Sequence, residues 1–243
     1  TNNRIPNDLF DKYQVKRGLR NPDGTGVVAG LTNISNVHGY LIRDEEKVPD
    51  EGKLIYRGID LGELVDGCVR DDRFGFEEVE WLLLFGRLPN KTQLEHFNEI
   101  LNESRELPEY FAEDMIIKAP SKDIMNKLGR SVLALYSYDS NPDETSLENI
   151  MRQSISLIAR MPTIMTYAYQ VKRRHYDKKS MYFHPIKPEH STAESILRSI
   201  RPDKKFNDEE AKLLDLLMII HAEHGGGNNS TFTTRVLSSS GTD

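Results

Sequence analysis

The stretch whose reading decides the fold is Asn207-Asp208-Glu209-Glu210-Ala211-Lys212-Leu213-Leu214-Asp215-Leu216-Leu217-Met218-Ile219-Ile220-His221-Ala222-Glu223-His224-Gly225-Gly226-Gly227-Asn228-Asn229-Ser230-Thr231. Asn207, followed three residues on by Glu210, predicts a helix N-terminus: the amide oxygen caps free N–H groups and the carboxylate reaches back to the cap. From Leu213 to Ile220 only Asp215 is polar, so apolar residues cover most of the circumference and predict a helix inside the protein. His221 and His224, three positions apart, would share its last turn on neighbouring parts of one face. Three glycines then predict its end, because glycine takes left-handed backbone angles without strain. A charged imidazole at a helix C-terminus is favoured by up to about 1 kcal/mol, and glycines beyond it would let an anion approach bare amides. These features suggest a site; on spacing alone, two histidines ending a buried helix are more usually capping and packing groups.

Upstream, the same helical period recurs. Phe76 to Gly86 is apolar at helical spacing and ends on glycine; Leu88-Pro89-Asn90 opens a second helix, about 91–105, which Leu107-Pro108 closes. Met125 to Tyr138 predicts another, ending at Ser140-Asn141-Pro142. The longest runs from about Thr145 to Tyr176, with Ile150, Ser154, Ile155, Ile158, Met161, Ile164, Met165, Ala168 and Tyr169 on one side. Pro162 inside it requires a kink or a break. The Lys172-Arg173-Arg174-His175 run reads as a solvated, cationic helix end. Residues 181–190 read as a loop and Thr192 to Ile200 as a short helix.

Toward the N-terminus the pattern changes. Residues 1–26 are polar and aperiodic, predicting an extended arm with a turn at Asn21-Pro22-Asp23-Gly24. In 27–60, Val27 to Ile34, Gly39 to Ile42 and Leu54 to Tyr56 read as short strands of a small antiparallel sheet, with the charged run Arg43 to Asp50 as a separator. The sequence therefore predicts a mainly α fold over 61–243 with a small β element near its start. Repeats and low-complexity segments are absent.

Composition narrows the function. The chain has 243 residues and a net charge of −6, which argues against nucleic acid as the main partner. Its 37% hydrophobic content is low for a complete globular protein and suggests core partners elsewhere. Cys68, the single cysteine, excludes an internal disulfide framework and fits a reducing compartment. The longest apolar run, Leu216 to Ile220, is far too short to span a bilayer, and nothing resembles a signal peptide, so a cytoplasmic protein without a membrane partner is expected. Asn229-Ser230-Thr231 reads as a chance glycosylation match. The chain starts at Thr1 and stops at Asp243, and both ends look cut.

Motifs exclude more. Neither a Gly-x-x-x-x-Gly-Lys-Ser/Thr loop nor a Gly-x-Gly-x-x-Gly turn occurs, so nucleotide cradling is not supported. His224-Gly225-Gly226-Gly227 lacks the Gly-x-Ser-x-Gly elbow that a hydrolase would need. His221-Ala222-Glu223-His224 lacks the four-residue histidine spacing of zinc proteases, and no metal is expected. Thr1 is a weak candidate for an N-terminal nucleophile.

Resemblance adds what spacing does not. His221 to Val236 with Ser238-Ser239-Ser240-Gly241-Thr242-Asp243 closely resembles a signature of the citrate synthases. Leu54-Ile55-Tyr56-Arg57-Gly58-Ile59-Asp60-Leu61-Gly62-Glu63-Leu64, Phe76 to Pro89, Met161-Pro162-Thr163-Ile164, Gly18-Leu19-Arg20 and Val28 to Tyr40 are similar to the same family, in consistent order. The resemblance implies the N-terminal, large-domain portion of a largely α-helical homodimer. Its reaction is a Claisen-type condensation of acetyl-CoA with oxaloacetate, followed by thioester hydrolysis to citrate and CoA. Acetyl-CoA is then a substrate, and no cofactor is implied. His224 falls on the oxaloacetate-binding histidine, and Asn228 and Ser230 on polar positions that hold the site, with His221 as support. That reading suits a dianionic keto acid whose ketone a rigid donor polarises.

The family's two further histidines, its aspartate base and most of its carboxylate-clamping arginines lie beyond the helix that ends here at Asp243. No histidine follows His224, and the only later carboxylate is Asp243. The small domain and the proton-transfer residues are thus expected to be absent, and these 243 residues alone to be inactive. Alternatives are a 2-methylcitrate synthase using propionyl-CoA, a non-catalytic dimerisation or regulatory module, and an unrelated helical anion-binding protein.

Overall fold

A computed structural model describes residues 6–13, 18–21, 24–27, 30–44, 46–226 and 228–241. Thr1, Pro22, Asp23, Val28, Ala29, Gly227, Thr242 and Asp243, all used in the reading above, lie outside the described residues. A short helix α1 (Asn7–Lys12) is followed by β1 (Ser35–Arg43), β2 (Glu46–Tyr56) and β3 (Ile59–Asp60), antiparallel in the order β1-β2-β3. Then come α2 (Leu61–Arg70), α3 (Phe76–Phe85), α4 (Lys91–Ser104), a π-helical turn (Ala112–Ile117), α5 (Ile124–Leu135), a 3₁₀ turn (Tyr136–Tyr138), α6 (Leu147–His175), α7 (Thr192–Ile200), α8 (Asp208–His221) and α9 (Asn229–Ser238). The fold is mainly α with a small sheet near the N-terminus. It divides into two compact units, Thr1–Leu61 with Glu223–Thr242, and Gly62–Ala222.

Within Gly62–Ala222, α6 is the central element and packs against α4, α5, α7 and the π-helical turn. Ile164, Ala168 and Val171 of α6 meet Phe111, Ile116 and Leu135 in one core cluster. Ala159 meets Phe97 and Leu101 in a second, where Trp81 stacks edge-on against Phe97 at 5.5 Å. The helix runs through Pro162 without a break. The proline removes one N–H, and burial of Ile164, a side chain worth on the order of 1.5–3 kcal/mol, with the smaller contribution of Ala168, offsets that loss. The side expected to be apolar is more mixed: Ile150 and Tyr169 are exposed, whereas Asn149 and Gln170 are buried. Asn149 Nδ2 donates to the Asn141 and Glu144 carbonyls, and Gln170 Nε2 to those of Ser199 and Ile200, so their polar atoms are satisfied.

Helix starts follow their caps. Asn90 with Gln93, Ser191 with Glu194 and Asn207 with Glu210 each form the reciprocal capping box. The interior of α8 does not follow the expectation of a helix buried all round. Its buried stripe is Ala211, Asp215 and Ile219, while Leu213, Leu217 and Ile220 are exposed. Asp215 goes inside because its carboxylate accepts the Gly75 and Phe76 N–H groups at 2.8 and 3.2 Å, capping the start of α3.

The N-terminal region also differs from its reading. Asn7–Lys12 is helical where an arm was expected, and the described part of Val27 to Ile34 is not a strand. The charged run Arg43 to Asp50 supplies most of the first half of β2 instead of separating strands. Both strands of this hairpin are largely exposed, so charge does not oppose pairing there. Cross-strand partners favour it: His38 Nε2 lies 2.7 Å from Asp50 Oδ2, and Lys47 sits 3.9 Å over the Tyr40 ring.

Candidate functional site

α8 stops at His221, with Ala222 at its C-cap. His224 therefore lies beyond the helix, which corrects the expectation that one turn carries both imidazoles and that the glycines end the helix. The cause is a competing set of acceptors. Glu223 Oε1 accepts the backbone N–H of His224 (2.9 Å) and of Gly225 (2.7 Å), together with Ser35 Oγ (3.1 Å). The Tyr56 hydroxyl accepts the Glu223 N–H and donates to the Glu223 carbonyl, both at 3.2 Å. Helical continuation would need those N–H groups for itself. Tyr56 is fully buried, and burial pushes its phenol pKa up, so it stays protonated and keeps its donor.

This clamp sets what the turn offers. The amides of His224 and Gly225 are consumed internally, and the room left by the glycines is filled. A Cβ on Gly225, whose φ is +91°, would lie 3.1 Å from Val37 Cγ2, and one on Gly226 would lie 2.9 Å from Thr32 Cγ2. Glycine here permits close approach by the protein's own β1 region; the expected opening of bare amides toward a ligand is not what these positions provide. The His224 side chain is exposed, so the imidazole is what the turn presents.

The other site candidates have definite places. Asn228 is the N-cap of α9: its Oδ1 accepts the N–H groups of Ser230 (2.8 Å) and Thr231 (3.4 Å), and its own N–H donates to the Gly225 carbonyl at 3.2 Å. Asn228 thus ties the His224 turn to α9, and Ser230 sits exposed in that helix's first turn. His221 belongs to Gly62–Ala222, where its Nδ1 donates to the Leu217 carbonyl at 2.7 Å. Sequence reasoning did not find Glu223, Tyr56 or Ser35. The available signal was that each of the three falls in one of the family-like blocks, Ser35 in Val28 to Tyr40, Tyr56 in Leu54 to Leu64 and Glu223 in His221 to Val236. Among the described residues no group of three or more His, Cys, Asp or Glu is placed to hold a metal ion, and no helix is long and apolar enough to cross a membrane.

Fold and turn together define a mainly helical protein that holds one exposed imidazole on a turn braced by a buried tyrosine and a glutamate. Residues 20–243 match the family model described as the citrate synthase C-terminal domain. The chain belongs to the citrate synthase family. It is 29% identical to 2-methylcitrate synthase 1 of Corynebacterium glutamicum over 95% of this chain and 54% of that protein. It is 30% identical to the peroxisomal citrate synthase of Dictyostelium discoideum over 99% of this chain and 49% of the other. The crystal structure of citrate synthase from Thermotoga maritima superposes with a TM-score of 0.69 at 23% identity, covering 94% of this chain and 52% of that one. The chain spans about half the length of the curated relatives it matches.

Proposed function

We propose that this chain supplies the keto-acid-binding turn of an enzyme that condenses acetyl-CoA with oxaloacetate to give citrate and CoA. The observation that carries this is the exposed His224 on a turn fixed by Glu223 and Tyr56, in a chain of the citrate synthase family. Oxaloacetate is a dianion with a ketone. An imidazole N–H aimed at the ketone oxygen stabilises the negative charge that grows there as the carbon nucleophile attacks, and a pre-fixed donor does this without reorganising during the step. Asn228 holds the backbone that follows, and Ser230 offers a hydroxyl in the adjoining first turn of α9.

Making the nucleophile requires removal of a methyl proton from the thioester and hydrogen-bond donation to its carbonyl oxygen. After His224 the sequence holds no histidine, and its one carboxylate is Asp243, so a polypeptide of these 243 residues is expected to bind oxaloacetate without turnover. The similarity to 2-methylcitrate synthases favours a second reading, in which propionyl-CoA replaces acetyl-CoA. We also place a homodimer on the exposed apolar side chains of α5 and α6, Met125, Leu133, Leu147 and Ile150. Thiol release from acetyl-CoA and from propionyl-CoA, each with oxaloacetate, tests the function on the product of the complete gene beside polypeptide 1–243. Release by the gene product with one of the two thioesters is expected; silence with both would sink the assignment.

A further inference from the structure

α6 ends in Lys172-Arg173-Arg174-His175, and past its cap at Tyr176 come Asp177, Lys178 and Lys179, so that residues 172–179 hold five cations and one acid. Positive side chains at a helix C-terminus answer the negative end of its dipole. That accounts for part of the run: Lys178 Nζ donates to the His175 carbonyl at 3.0 Å. It leaves the rest without a role in the fold. Among the described residues, the side chains of Lys172, Arg173, Arg174 and Lys179 have no hydrogen-bond acceptor and no carboxylate partner, and Arg174 and Lys179 are exposed.

A second element adds to the same face. The chain at 118–122 lies against the end of α6, where the Tyr176 hydroxyl donates to the Pro120 carbonyl at 3.4 Å and Lys122 Nζ sits 5.6 Å from the Tyr176 ring centre. Arg173 likewise covers the Tyr169 ring, at 5.7 Å. Behind this loop Lys127 is 3% exposed, and its Nζ donates to the Ala119 carbonyl (3.0 Å) with no carboxylate partner among the described residues. Burial and the neighbouring Arg130 push its ammonium pKa down. The acids beside the loop do not answer this charge, since Asp114 is paired with Lys118 and the Asp123 carboxylate caps α5. On a chain whose net charge is −6, the end of α6 with its loop is a local reversal of sign.

We propose that this face docks a short carboxylate-rich segment of a partner protein. The guanidinium fork of Arg174, and that of Arg173 held over Tyr169, match the geometry of a carboxylate. Exposed charges act over only about 10 Å at 0.1 M salt, so a short segment meets the face alone. A duplex or a membrane extends past it and also meets the chain's excess of acids. A membrane further requires exposed apolar anchors, whereas the Tyr169 and Tyr176 rings are taken up by Arg173 and Lys122.

Fluorescence anisotropy of labelled octaglutamate with polypeptide 1–243 tests the proposal, beside phosphatidylserine vesicles and a short DNA duplex as rival probes. Saturable binding of the peptide is expected, weakened about fivefold or more by Arg174→Glu, because the reversal turns an attraction into a repulsion. Lys91→Glu makes the same change of charge at the start of α4 and should leave affinity within about twofold. Lys179→Glu lies off the helix, so it decides the matter if Arg174→Glu costs α6 its last turn; a severalfold loss supports the face and no change refutes it. Absence of peptide binding overturns the proposal, as does an equal effect of Arg174→Glu and Lys91→Glu. Tighter binding of the vesicles or the duplex than of the peptide overturns it as well.

Discussion

Asp215 is a residue where chemistry and burial pull against each other. It is 1% exposed, accepts two backbone N–H groups, and burial pushes its pKa up to about 6, partly opposed by the bond from Gly75. Between pH 3.8, the ordinary value, and about 6 the folded chain keeps a proton that the unfolded chain has released. Stability therefore falls as pH rises through that window, on the order of 3 kcal/mol from this group, and is flat in this group above it. Glu80, also raised by burial, adds to the same decline. Asp215→Asn keeps one acceptor and cannot ionise, so urea midpoints of the variant should fall less between pH 4 and 7 than those of the parent. An equal fall in both would show that Asp215 does not carry the effect. At the site, Tyr56→Phe removes both hydroxyl contacts to Glu223 and leaves a partly buried N–H without that partner, costing about 1–3 kcal/mol; urea unfolding measures it, and a change under 0.5 kcal/mol would contradict the clamp. His224 stood out in the sequence as a candidate because it lies in a dense local motif. Its clamp did not, since Tyr56 and Ser35 meet Glu223 across 167 and 188 residues, and no local spacing records such a pairing.

Among elements, legibility followed the caps. α3, α4, α6 and α7 begin and end close to where Gly, Pro, Ser and Asn signals put them, because those signals act within four residues. β2 was hidden because its first half is charged, and solvent on both sides lets charged residues pair as strands. The apolar run of α8 misled in another way: eight residues with one acid gave no face, and a tertiary contact to the start of α3 chose the acid for the inside. Gly225 belongs to this scale because it lets the turn settle against β1. Gly225→Ala puts an L-residue at φ +91° with its Cβ 3.1 Å from Val37 Cγ2, and should destabilise by more than about 1 kcal/mol. A thermal scan checks this, and an unchanged midpoint would mean that Val37 yields freely.

At the scale of the whole molecule, the apolar side chains left in solvent point to partners. Leu133 is 77% exposed, Met125 74% and Leu147 79%, on two helices, α5 and α6, that pack against each other. Sedimentation equilibrium should give twice 27.9 kDa, and Leu133→Glu should return the chain to a monomer with its helical content intact; a monomeric parent would remove α5 and α6 from the interface. The central claim concerns the imidazole on its braced turn, and calorimetric titration of oxaloacetate into polypeptide 1–243, beside His224→Ala, addresses it most directly. The parent should bind with affinity about tenfold or more above the variant, as expected for loss of one hydrogen bond with charge behind it. Equal binding by the two, or none by the parent, would contradict the account.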